Sequence, residues 1–177
     1  LGVFLKPLKD SPQIVHYMTQ FGQVPLLGIF IGMVVTFIVQ SSSAATGMII
    51  TLAALGLIDF QGAFCLALGT NIGTTITAQI ASVGTNLTAR RAAWAHTLFN
   101  VFGALYMYLL LFVKVDGDPI FLRFINTITP GNAFVGENLA RHIANAHTIF
   151  NILNAIVLFP LIGFLAKVTE VIVPGKL

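Results

Sequence analysis

Between Asp10 and Asp59 the chain carries no aspartate, glutamate, lysine or arginine. The same holds from Asp59 to Arg90, from Arg91 to Lys114 and from Arg141 to Lys167. A soluble domain spreads about 25% charged residues along its length. Here charged residues make up 8% and hydrophobic residues 56%. Each charge-free stretch can supply the roughly 20 apolar residues that cross a hydrocarbon layer about 30 Å thick. Long apolar runs in a bilayer must satisfy their own backbone, which helices do. The pattern therefore predicts an all-α, polytopic protein whose first partner is the lipid bilayer. The formal charge of +3 is small and scattered along the edges of the apolar segments, where membrane proteins place basic residues, so no nucleic-acid surface is expected. The single cysteine, Cys65, excludes an internal disulfide framework and has no zinc-type spacing. The chain begins with Leu1 and shows no basic-then-apolar signal, so it is expected to be part of a longer protein.

Residues 1–23 read as the end of a preceding helix and an interfacial segment. Residues 24–113 read as one unit, beginning with a hairpin over 24–58. Val24–Val39 and Ala44–Ile58 are each short for a complete crossing, while together they are too long for one. Their junction is QSSSAAT, Gln40 to Thr46. The expected form is a re-entrant hairpin whose half-helices enter and leave on one side, with two short tilted spans as the alternative. Residues 62–83 are expected to form a transmembrane helix broken at GTNIGTT, Gly69–Thr75, because glycine weakens a helix and Asn or Thr can bond local backbone. A transmembrane helix over 90–113 completes the unit. A polar connection follows over 114–141, with Pro130-Gly131-Asn132 as a turn. A C-terminal transmembrane helix and tail, kinked at Pro160, occupy 142–177.

Gln40, Ser41, Ser42 and Ser43 offer one amide and three hydroxyls without charge. At a hairpin tip a new helix would start just after them, and its free N–H groups and dipole favour an anion such as phosphate or a carboxylate. Serine lone pairs can also coordinate sodium. The plainer reading is small polar residues packing against a neighbouring helix. An unwound GTNIGTT would expose carbonyls and bring Thr70, Asn71, Thr74 and Thr77 to a cation; its plainer reading is a glycine-mediated helix crossing with satisfied threonines. Ala89–Phe102, ARRAAWAHTLFNVF, and Ala140–Leu153, ARHIANAHTIFNIL, agree at eight of fourteen positions, which predicts equivalent work for two helix starts. His96 and Asn100, and His147 and Asn151, each stand four residues apart and can bond along one face. They lock packing or, less simply, carry a proton; no carboxylate or thiolate accompanies them, so no transition metal is expected. Arg90 and Arg91 read as interfacial anchors, with substrate attraction as the alternative. An intramembrane serine hydrolase using His96 or His147 as base is a further alternative, though no GxSxG elbow and no intramembrane acid support it. The chain is not expected to be an enzyme.

QSSSAATG at Gln40–Gly47, LGTNIGTTITA at Leu68–Ala78 and ARRAAWAHTLFN at Ala89–Asn100 occur in that order. Together they resemble the repeat unit of the type II sodium-dependent phosphate cotransporter family, in particular its bacterial branch, from about Pro25 to Phe102 and more loosely to Pro174. The resemblance implies two inverted repeats, each with a QSSS hairpin, holding substrate between them, and a multi-pass location in the plasma (inner) membrane. With one QSSS and one NIGTT, this chain resembles the second repeat and C-terminal part. Its expected partner is the missing first repeat, or else a second, antiparallel copy. The resemblance implies phosphate binding at Gln40, Ser41, Ser42 and Ser43. It also implies a sodium site at Gln40, Ser41, Thr70, Asn71, Thr74 and Thr77, with Thr70 where the family usually has Ala or Ser. Sodium would be the coupling ion of a symporter, with no organic cofactor and no covalent chemistry. Transport or sensing of another small anion is the alternative.

Overall fold

The computed structural model describes Pro7 and residues 11–175; expectations for residues 1–6, 8–10 and 176–177 lie outside the described residues. Among them the chain forms eight α-helices. These are α1 (Pro12–Gln23), α2 (Pro25–Val39), α3 (Ser42–Ala54), α4 (Phe60–Ser82), α5 (Leu87–Leu110), α6 (Ile120–Ile128), α7 (Leu139–Leu158) and α8 (Ile162–Ile172). A two-stranded antiparallel ladder, β1 (Lys114–Val115) with β2 (Asp118–Pro119), interrupts the helices. Its turn has Asp116 at φ 51° and Gly117 at φ 91°, the positive values that an Asp-Gly hairpin turn requires. The segment 114–141 is therefore structured, and α6 buries Phe121, Leu122 and Ile125.

The helix starts follow local chemistry. Proline occupies the first turn of α1 and α2, where its missing N–H has no partner to lose. Asp59 caps α4 by accepting from Gly62 N at 2.6 Å, and Asn86 caps α5 by accepting from Ala89 N at 2.9 Å. Helices α1 and α2 meet at Val24, bent by 109°. Pro160 sits in a 3-10 turn, Phe159–Leu161, between α7 and α8. The run Leu139–Ile172 is long and apolar enough to cross a bilayer, and so is the bent α1–α2 pair if counted as one span.

Helix α4 is the core of the molecule. Every residue from Gly62 to Asn71 is buried, and α1, α2, α3, α5 and α7 all pack on it. Phe60 and Phe64 are almost fully enclosed and stack edge-on with His142 and Phe150 respectively.

The expected break in this helix does not occur: α4 runs without interruption from Phe60 to Ser82, straight through Gly69–Thr75. The glycines serve a different purpose. A Cβ on Gly69 would overlap the Ile29 carbonyl, and one on Gly73 would lie 2.6 Å from the Met33 carbonyl. From the other side, a Cβ on Gly32 would overlap the Leu66 carbonyl and one on Gly28 would lie 2.7 Å from Cys65 Cβ. GIFIG of α2 and GTNIG of α4 thus present small-xxx-small faces to each other, which lets two helix backbones touch. The threonines bond their own helix: Thr70 Oγ1 donates to Ala67 O, Thr74 Oγ1 to Thr70 O and Thr77 Oγ1 to Thr74 O, at 2.7–2.8 Å. These bonds supplement the helix ladder without competing with it, so nothing unwinds.

Candidate functional site

Helices α2 and α3 form a helical hairpin with a two-residue link. Gln40 ends α2 in the left-handed region, φ 53° and ψ 25°, with its N–H on Thr36 O at 2.7 Å. Ser41 is extended and caps α3; its Oγ accepts from Ala44 N at 3.3 Å and lies 3.2 Å from Ser43 Oγ. Ser42 and Ser43 open the helix, so their amides have no carbonyl within it to bond. Gln40 and Ser43 are exposed, while Ser41 and Ser42 are half-buried. The result is a helix start carrying free N–H groups and hydroxyl donors, the arrangement that attracts an oxyanion.

The register of α2 on α4 sets what stands beside this tip. Gly28 meets Cys65 and Thr36 meets Gly73, the same offset in both places, so the two helices run parallel. That offset puts Gln40 level with Thr77. Behind the tip, α1, α2, α3 and α4 enclose a 170 Å³ apolar cavity lined in part by Val35, Ala45 and Thr70.

The cation candidates on α4 therefore divide. Thr70 is fully buried against the hairpin, while Thr74 and Thr77 are half-buried further along, toward the level of the tip. Asn71 faces elsewhere. Its Nδ2 donates to Asn151 Oδ1 at 3.1 Å, and its Oδ1 lies 2.8 Å from His147 Nε2. The unbroken helix also changes how a cation could be held. Backbone carbonyls of Gly69–Thr75 are used within the helix, leaving hydroxyl and amide oxygens. A threonine hydroxyl that donates to its own helix keeps its lone pairs for a cation.

His147 and Asn151 are the members of this cluster that a motif-by-motif reading does not assign to the site. The available signal was their four-residue spacing, which implied mutual bonding. The structure shows a different pairing: Asn151 Nδ2 bonds the His147 carbonyl at 2.8 Å, and the ring reaches across to α4. With His147 on Asn71, and Ser41 on Ser43 and Ala44, the nucleophile–base pair of a serine hydrolase is not assembled among the described residues.

Uncharged oxygens and free amides at a helix junction suit the reversible binding of a small ion. The chain belongs to the Na+/Pi-cotransporter family, whose model matches residues 9–119; this is a family of transporters and not of enzymes. It is 29% identical to the uncharacterized protein YqeW of Bacillus subtilis over 172 residues, 97% of this chain and 50% of that one. Over 183 residues it is 27% identical to YjbB of Escherichia coli, provisionally named an inorganic phosphate export protein, covering 98% of this chain and 31% of that one. Over 104 residues it is 38% identical to the mouse sodium-dependent phosphate transport protein 2C, covering 56% of this chain and 17% of that one. The chain spans half the length of the Bacillus relative and less of the other two. No solved structure matches it.

Proposed function

We propose that the chain is one repeat and the C-terminal part of a sodium-coupled symporter of inorganic phosphate, multi-pass in the plasma (inner) membrane. The observation that carries this reading is the α3 start, where Ser41 caps the helix and Ser42 and Ser43 present hydroxyls beside free amides. Phosphate is bound there by N–H and O–H donors together with Gln40. Sodium is held by oxygen lone pairs of Gln40, Ser41, Thr70, Asn71, Thr74 and Thr77, neutral groups that repel no cation.

The hairpin is re-entrant, its tip deep in the membrane and facing water. An inverted repeat completes the site, supplied by the missing first repeat or by a second antiparallel copy. Sodium orders the tip against α4, phosphate completes the site, and the assembly reorients. A symporter runs in whichever direction its gradients drive it. Outward release of phosphate is therefore the second reading, favoured by the name of the Escherichia coli relative.

The test is Ser42→Ala in the full-length protein reconstituted in vesicles. Ser42 donates to phosphate, and sodium binding is coupled to phosphate binding, so half-saturation for both should rise, for phosphate by roughly tenfold on loss of one charge-assisted hydrogen bond of about 1.5 kcal/mol. Uptake with both dependences unchanged would rule out this assignment of the site.

A further inference from the structure

The cluster of Asn71, His147 and Asn151 has a hydrogen-bond polarity that follows from one fixed point. The His147 carbonyl can only accept, so the Asn151 amide nitrogen 2.8 Å away donates to it. That choice turns Asn151 Oδ1 toward Asn71, whose Nδ2 donates across 3.1 Å. Asn71 Oδ1 is then the atom left facing His147, 2.8 Å from Nε2. An amide oxygen accepts only, so the imidazole carries its proton on Nε2. Three side chains from two helices thus close a ring in which no amide can be turned over without breaking two bonds.

An asparagine with no such neighbours can present either its oxygen or its NH2, and the NH2 repels a cation. Asn71 is buried, and its two partners are half-buried, so water cannot readily replace a lost bond. We propose that His147 and Asn151 are positioning residues for the coupling ion. They hold the Asn71 amide so that its oxygen, with one lone pair on His147 Nε2–H, keeps the second lone pair for sodium. This rests on the sodium role proposed for Asn71. It also assigns α7 a part in ion binding, although neither of its two residues touches the ion. Helix α7 packs on the hairpin arm α3 as well as on α4, so the helix that sets the amide also backs the phosphate side of the site.

The test uses the full-length protein in vesicles, with phosphate uptake measured against sodium and, separately, against phosphate at saturating sodium. His147→Leu should raise the sodium needed for half-maximal uptake by roughly tenfold, the lower end of what losing a residue behind a metal ligand does. Half-saturating phosphate should move by less than about twofold, because the removed bond reaches only Asn71. His147→Gln, whose terminal NH2 can donate where Nε2–H does, should return the sodium dependence to within about threefold of the natural protein. Asn151→Ala leaves the His147–Asn71 bond and should raise half-maximal sodium by roughly threefold, so it decides the matter if His147→Leu does not fold. Unchanged sodium dependence in Asn151→Ala, or a lower maximal rate with the same half-maximal sodium in His147→Leu, marks a packing role and overturns the inference while sodium-coupled transport stands. Uptake by the natural protein that ignores sodium overturns the sodium reading, and this inference with it.

Discussion

The α5 and α7 starts share the motif A-R-x-x-A-x-A-H-T-x-F-N, and the two copies behave alike only at short range. In each, the asparagine amide donates to the carbonyl of the histidine four residues before it, Asn100 to His96 at 2.9 Å and Asn151 to His147 at 2.8 Å. Beyond that the copies diverge. His147 reaches Asn71, whereas His96 is exposed. The α5 copy is tied to α4 one residue later, where Thr97 Oγ1 accepts from Gln79 Nε2 at 2.7 Å. The two helices touch at matching positions, Asn154 of α7 against Gly103 of α5, with Asn154 Nδ2 on Phe99 O at 3.2 Å. A repeated motif therefore fixes what a helix does to itself. The neighbouring helix decides which of its side chains enters a site.

The contact at Gly103 is the place to break the comparison. A Cβ there would lie 2.5 Å from the Asn154 amide, so Gly103→Val should force the two copies apart. The expected loss is about 3 kcal/mol of stability, at the upper end of what overpacking does, read as a lower thermal midpoint in detergent. Next in size is the paired substitution of the two histidines. His147→Leu removes an interhelical bond and leaves the buried Asn71 oxygen without its donor, a loss of about 1 kcal/mol. His96→Leu at the equivalent exposed position should change stability by less than about 0.5 kcal/mol. Equal effects on the melting midpoint would show that the two copies are equivalent after all. A smaller effect than that of His147 belongs to Arg91, which has no arginine opposite it in the α7 copy, where His142 stands instead. Arg91 lies 3.6 Å from the exposed Glu170 and donates to the carbonyls of Val173 and Gly175. Arg91→Ala should lower stability by about 0.5–1 kcal/mol, mostly through those carbonyls, and make the C-terminal end easier to clip with protease.

Much of the architecture follows from short-range features of the sequence. Asp59 and Asn86 are caps because a short polar side chain precedes an apolar run, and VDGD turns because Asp-Gly tolerates positive φ. The two-residue tip at Gln40 and Ser41 is where the polar interruption says it should be. GTNIGTT is different, because glycine serves a broken helix and a tight crossing equally well. What decides is a second spaced pair, Gly28 and Gly32, 41 positions earlier, and only their meeting shows that α4 stays whole. Asn71 is the other case. It was visible as a candidate ligand, but the partners that orient it stand 76 and 80 residues further on, and no local pattern reports them.

The glycine faces of α2 and α4 also restrict how the molecule can be worked mechanically. Backbones in contact at Gly32 and Gly69 are meshed like gear teeth, and neither helix can slide along the other without first lifting off it. Any displacement of the tip must therefore carry α2 and α4 as a single lever. Its bearings are the irregular residues at the ends of α2, Val24 at the 109° corner and the Gln40–Ser41 link. Across the 170 Å³ void, α3 has no such meshing: a Cβ on its one glycine, Gly47, would have nothing within 4 Å.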